Sequence, residues 1–227
     1  MSAAQASWPW IALLALGAYH GVNPGMGWLF AVALGLQEKR RRAVLQAIPP
    51  LVLGHLISVG AIVALVVALE AALPISLLRI VAAIVLIGFG LSRLLRARHP
   101  RWVGMQVGFR DLTLWSFLMA SGHGAGLMLV PIILAWPANP SAAHMTSGGM
   151  THSMPLPAGF HGPALAKPTL WLLAVGIHTF AYLAVMALVA SLVYAKFGVA
   201  ILRRAWLNLD LIWAIVLIAT GVLALFL

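Results

Sequence analysis

The stretch Tyr19-His20-Gly21-Val22-Asn23-Pro24-Gly25-Met26-Gly27 interrupts a long apolar run with a histidine, an asparagine, a proline and three glycines. Pro24 has no N–H to donate, and its ring crowds the carbonyl one turn earlier. The glycines lower helix propensity on either side of it. A helix running through this segment must kink or unwind there. A second apolar run carries a related interruption, Ala120-Ser121-Gly122-His123-Gly124-Ala125-Gly126-Leu127-Met128. Backbone groups freed at membrane depth are tolerated only where protein buries them or they line a cavity. A cavity at Asn23 to Gly25 and at Gly122 to Gly126 is therefore expected. The plainer alternative is a kink with tight packing, because small residues let membrane helices approach closely.

Working outward, the 227-residue chain is 63% hydrophobic and 8% charged, whereas a soluble domain carries about 25% charged residues. This is the composition of an integral membrane protein. Six segments reach the length a span needs, at roughly 8–36, 44–69, 75–95, 112–136, 169–195 and 206–227. Apolar runs of this length are not the short alternating strands of a membrane barrel, so the expected fold class is an all-α membrane protein of six transmembrane helices, the first and fourth broken. The chain has no cysteine, which excludes disulfides, thiolate ligands and dithiol redox chemistry. Its formal charge of +10 is gathered in short clusters between apolar runs, as membrane orientation requires, and is not read as a nucleic-acid surface. Connector one holds Lys39, Arg40, Arg41 and Arg42, connector three holds Arg93, Arg96, Arg98, Arg101 and Arg110, and connector five holds Lys196, Arg203 and Arg204. Connector two offers only Glu70, and connector four only Lys167. By the positive-inside rule the odd connectors are cytoplasmic and both termini lie outside an inner membrane. Met1 to Ser7 lacks the basic residues of a cleavable signal peptide.

The third and sixth segments align. Arg79-Ile-Val-Ala-Ala-Ile-Val-Leu-Ile-Gly-Phe-Gly90 runs against Asp210-Leu-Ile-Trp-Ala-Ile-Val-Leu-Ile-Ala-Thr-Gly221, with Ala83, Ile84, Val85, Leu86, Ile87 and Gly90 each meeting an identical residue. His55, after Gly54, corresponds to His178, near Gly176, and His20 corresponds to His123. Two halves of three spans each, 1–105 and 106–227 in one membrane domain, must insert in opposite senses. That is the inverted repeat of secondary transporters. Between the halves, 137–168 is rich in Pro, Gly, Ser and Ala and is expected to be an external loop with little regular structure.

The chemistry rests on histidine. An imidazole in hydrocarbon must find a hydrogen-bond partner or a ligand, and ionisable residues within spans are functional candidates. His20, His55, His123 and His178 are expected to meet near the midplane as metal ligands or proton carriers. The alternative for each is a structural bond to a neighbouring helix. Asn23, Pro24, Gly25 and Met26, with Gly122, Gly124 and Met128, are expected to shape the hinge and cavity. Neutral imidazole suits Ni, Co, Cu and Zn, and thioethers extend that set toward softer ions. The external loop adds His144, Met145, Met150, His152, Met154 and His161, a set of soft and borderline ligands read as a capture segment. Arg79 and Asp210 occupy matching repeat positions, where a gating ion bridge or an interfacial role fits. Gly17 and Gly21 have a spacing used mainly for helix packing. No phosphate loop, nucleophile elbow or Glu-x-x-His di-iron set is present.

With its size, its two related halves and the first-span motif His20-Gly-Val-Asn-Pro-Gly-Met26, the chain resembles a superfamily of six-span, three-plus-three inverted-repeat membrane proteins. That superfamily contains lysine exporters, nickel and cobalt efflux permeases, cadmium resistance proteins and the transmembrane part of cytochrome c biogenesis proteins. The resemblance implies the fold over nearly the whole length. It does not assign the substrate. Nickel and cobalt members carry an acidic residue after the proline and the redox members carry cysteines, where this chain has Gly25 and Met26. The expectation is a secondary transporter, not an enzyme, that moves a transition-metal cation by alternating access, with Ni, Co, Cu or Zn as its substrate. An exporter of a small organic or amino-acid-like solute, a membrane metalloprotein or oxidase-type subunit holding its metal permanently, and an accessory subunit without a site are the other readings. The lipid bilayer is one partner; a homo-oligomer or a membrane complex is left open.

Overall fold

The computed structural model describes residues 3–95, 108–135, 166–196 and 209–226. Among these residues the chain is all-helical: α1 (Ala3–Val22), a 3-10 turn (Pro24–Met26), α2 (Trp28–Glu38), α3 (Arg41–Glu70), α4 (Ile75–Leu95), α5 (Phe109–Gly122), α6 (Leu129–Leu134), α7 (Ala166–Lys196) and α8 (Leu209–Phe226). Each of the six apolar segments carries helix, and interruptions fall within the first and fourth as expected. Among the described residues three helices are long and apolar enough to cross a membrane, over Arg41–Glu70, Ile75–Ser92 and Thr169–Lys196.

The helices pack chiefly in three pairs, α1 with α7, α3 with α5 and α4 with α8, while α2 lies against α3 and α7. Glycine sets the closeness of each pair. A Cβ on Gly17 would strike the His178 carbonyl, with the Tyr182 nitrogen at 3.1 Å, and one on Gly21 would meet the Tyr182 carbonyl at 2.7 Å and the Met186 nitrogen at 2.9 Å. The packing expected of the Gly17/Gly21 spacing is thus observed, and α1 and α7 run parallel because contact advances along both chains together. Gly54 seats against the Thr113 carbonyl and Phe117, and one turn on Ser58 Oγ and Ser121 Oγ are 2.9 Å apart, so α3 and α5 are also parallel. In the third pair a Cβ on Gly90 would meet the Ala214 carbonyl and Ile218, and one on Gly221 would meet the Ala83 carbonyl, Leu86 and Ile87. That contact is antiparallel and reciprocal, in the register of the sequence alignment.

Among the described residues the core is mostly apolar and encloses a small polar set, His20, Asn23, His55, Ser58, Ser116, His123, His178 and Thr179, while Ile84, Leu118, Leu172 and Phe180 are more than half exposed. An apolar exterior fits a hydrocarbon solvent. Lys39, Arg40, Arg41, Arg42, Arg110 and Lys196 are exposed at helix ends. Lys39 takes a left-handed conformation (φ 53°) that closes α2, and beside it Arg40 pairs with Glu38. Arg96, Arg98, Arg101, Arg203, Arg204 and the segment 137–165, with His144, Met145, Met150, His152, Met154 and His161, lie outside the described residues.

Candidate functional site

The first break is a short, hydrogen-bonded turn. After α1 ends at Val22, Asn23 Oδ1 accepts the Gly25 N–H at 2.9 Å, which caps the 3-10 turn as asparagine does at helix starts. Gly27 adopts φ 137°, open only to glycine without strain, and α2 begins at Trp28. The carbonyls released by the break are taken by side chains: Trp28 Nε1 donates to Val22 O at 2.8 Å, and Tyr182 Oη, from α7, donates to Met26 O at 2.6 Å. The second break is broader. α5 ends at Gly122, residues 123–128 form successive turns with Gly124 at φ 71°, and Trp213 Nε1, from α8, donates to the His123 carbonyl at 2.5 Å. Pro24, Met26, Gly124 and Met128 are buried, and Gly25 and Gly122 are half-buried.

The two break histidines are held alike. His20 Nδ1 lies 2.6 Å from the Leu16 carbonyl and His123 Nδ1 lies 2.7 Å from the Met119 carbonyl. A carbonyl only accepts, so each Nδ1 carries the proton and each Nε2 presents its lone pair. In metal-binding histidines the same bond from the other ring nitrogen fixes the ring and leaves Nε2 as the ligand.

His20, His55 and His178 converge. All three are fully buried, and their ring centroids form a triangle with sides of 5.1 Å (His20–His178), 5.5 Å (His55–His178) and 5.6 Å (His20–His55). The His55 and His178 planes are 16° apart, with their Nε2 atoms 3.4 Å apart. His20 stands across them at 68° and 77°. His20 Nε2, His55 Nδ1, His178 Nδ1 and Thr179 Oγ1 are buried without a hydrogen-bond partner; buried polar atoms of this kind are uncommon and tend to mark sites of ligand or water. Among the described residues no group of three or more His, Asp or Glu is placed so that it could hold a metal ion. No protein family, curated protein or solved structure matches this chain.

His123 belongs to the same neighbourhood but faces the first break: a Cβ on Gly25 would lie 3.6 Å from His123 Nε2. Trp213 joins the two break histidines, with its ring edge-to-face with His20 at 4.9 Å and with His123 at 5.2 Å, and stacked on Tyr19 at 5.1 Å. Tyr182 stacks on His55 at 4.0 Å, and Ser116 Oγ, on the adjoining helix α5, donates to Leu51 O at 2.5 Å. Sequence reading passed over Trp213 and Tyr182. Trp213 had left a trace, since it stands opposite Ala82 in the aligned block and is the largest change of volume there. Arg79 donates to the Leu134 carbonyl at 3.1 Å, tying α4 to the end of α6, and the side chain of Asp210 lies outside the described residues.

Proposed function

We propose that the chain is a membrane permease that carries a transition-metal cation through a histidine site between two broken helices. The observation that carries this reading is the imidazole triangle. With metal–nitrogen bonds of about 2.0 Å, two ligand nitrogens on one ion are separated by about 3.3 Å in tetrahedral and about 3.5 Å in trigonal geometry, and the ring centroids by about 5.2 and 5.5 Å. The Nε2 pair at 3.4 Å and the centroid edges of 5.1, 5.5 and 5.6 Å match these values. The Nε2 pair is also wide for a nitrogen–nitrogen hydrogen bond. The Nε2 lone pair of His20, left without a partner while Nδ1 bonds Leu16, would supply the third donor, and His123, across Gly25, is the ligand to which the ion would pass when the breaks move.

Several features support six spans arranged as inverted halves with alternating access. Such an arrangement needs spans one and five parallel, two and four parallel, and three and six antiparallel, which are the directions of the three helix pairs. The reciprocal seats of Gly90 and Gly221 and the shared Nδ1 bonds of His20 and His123 are what a pseudo-twofold axis produces. With Lys39 to Arg42, Arg110 and Lys196 on the cytoplasmic side, the N-terminus faces outward.

The test is flux. In proteoliposomes loaded with a metal-sensing dye and offered Ni(II), Co(II), Zn(II) and Ag(I) in turn, the wild type should admit at least one ion. His20→Ala, His55→Ala and His178→Ala should each reduce that flux by about tenfold or more, the usual scale of losing one interaction at a metal site. Flux of none of these ions, or flux indifferent to all three substitutions, overturns the proposal.

A further inference from the structure

We infer, resting on the permease reading, that Tyr182 is a positioning residue that couples ion binding at His55 to the closed state of the first break. Two contacts made by one rigid ring lead there.

The first contact is with a ligand. His20 and His123 are each held by an Nδ1–H bond to the carbonyl four residues back. His55 has no such bond, since its Nδ1 is buried without a partner. A metal-ligating histidine is normally oriented through its other ring nitrogen. What orients His55 instead is a stack. The Tyr182 phenol lies against it with centroids 4.0 Å apart and planes 16° apart, closer than His178 at 5.5 Å or His20 at 5.6 Å.

The second contact is with the break. Tyr182 Oη donates to Met26 O at 2.6 Å, the carbonyl of the last residue in the 3-10 turn, and lies 3.3 Å from the place a Cβ on Gly27 would take. The root of the side chain is fixed, because the Tyr182 nitrogen and carbonyl are seated on α1, where a Cβ on Gly17 or Gly21 would meet them. A phenol ring does not bend, so its stacked face and its hydroxyl move together. An ion held on His55 confines the phenol and keeps the hydroxyl on Met26. A break that opens draws the hydroxyl away and loosens the His55 ring. By linkage the two effects are equal in free energy, and alternating access needs such a link if opening is to release the ion.

The test is hydrogen exchange of residues 24–30 in the full chain in lipid nanodiscs, ion-free and with each of Ni(II), Co(II), Zn(II) and Ag(I), alongside flux in proteoliposomes. In wild type the ion that binds should slow exchange of this segment by about fivefold, the scale of one hydrogen bond. Tyr182→Phe keeps the ring and its stack. It should bind the same ion with a Kd within about threefold, lose the ion-dependent slowing, and lower maximal flux by about fivefold at nearly constant half-saturation. Tyr182→Leu, which removes the stack as well, should weaken binding by about tenfold. A merely structural tyrosine would change exchange equally with and without ion and leave their ratio as in wild type. That ratio retained in Tyr182→Phe, or full maximal flux in that variant, overturns the coupling and leaves the permease reading standing. Binding and flux of none of the four ions by wild type overturn both.

Discussion

The two helix breaks solve one problem with different means. Between Val22 and Trp28 the freed backbone is satisfied largely from nearby in the chain, by Asn23 and Trp28, with Tyr182 reaching in from α7. Between Gly122 and Leu129 the side-chain support comes from a distant helix, through Trp213. The first break therefore behaves as a compact turn carried by its own residues, and the second depends on α8 remaining in place. Their histidines differ accordingly, although each donates Nδ1–H four residues back. His20 points into the triangle with His55 and His178, whereas His123 lies across Gly25 and beneath Trp213. The difference teaches that two helix breaks can keep the same local hydrogen bond while their histidines take different surroundings, here an imidazole triangle at one break and a place beside Trp213 and Gly25 at the other.

Trp213→Ala is the strongest way to break that comparison. Removing a fully buried tryptophan costs about 3–5 kcal/mol and leaves the His123 carbonyl without its donor, so thermal unfolding in detergent should shift down sharply and His123 should lose its position before His20 does. If the variant is as stable as wild type, the second break does not depend on α8. Tyr182→Phe comes next. It retains the stack on His55 but frees the Met26 carbonyl, with an expected loss of about 1–3 kcal/mol, visible as faster hydrogen exchange around Gly27 with little change at Gly124. Equal changes at both breaks would show them to be a single unit. The smallest effect belongs to Asn23→Ala, which removes a cap worth about 1 kcal/mol. Stability should fall by that amount and the proposed metal binding should persist, since Asn23 Oδ1 is already engaged by the Gly25 N–H of the turn. Loss of metal with stability retained would instead make Asn23 a ligand.

Much of this molecule is legible from residue order. Apolar length fixes the helices, Pro24 and the clustered glycines place both breaks to within a few residues, and the alignment of 79–90 with 210–221 anticipates the reciprocal seats of Gly90 and Gly221. These are local or periodic properties, governed by backbone sterics and by the cost of an unpaired amide in hydrocarbon. The histidines are legible as a set, because four imidazoles among apolar neighbours stand out whatever the fold. Which of them would meet was not. His20, His55 and His178 come together because Gly17 and Gly21 let α1 lie on the backbone of α7 while α3 packs against both α5 and α7, and distances across three helices are set by packing that no single segment encodes. The same holds for Trp213 and Tyr182, whose roles arise from carbonyls exposed in other helices. Sequence by itself thus determined the elements, their breaks and the inventory of histidines. Only the tertiary structure decided that three imidazoles share one triangle and the fourth stands apart, because side-chain convergence depends on how closely helix surfaces approach.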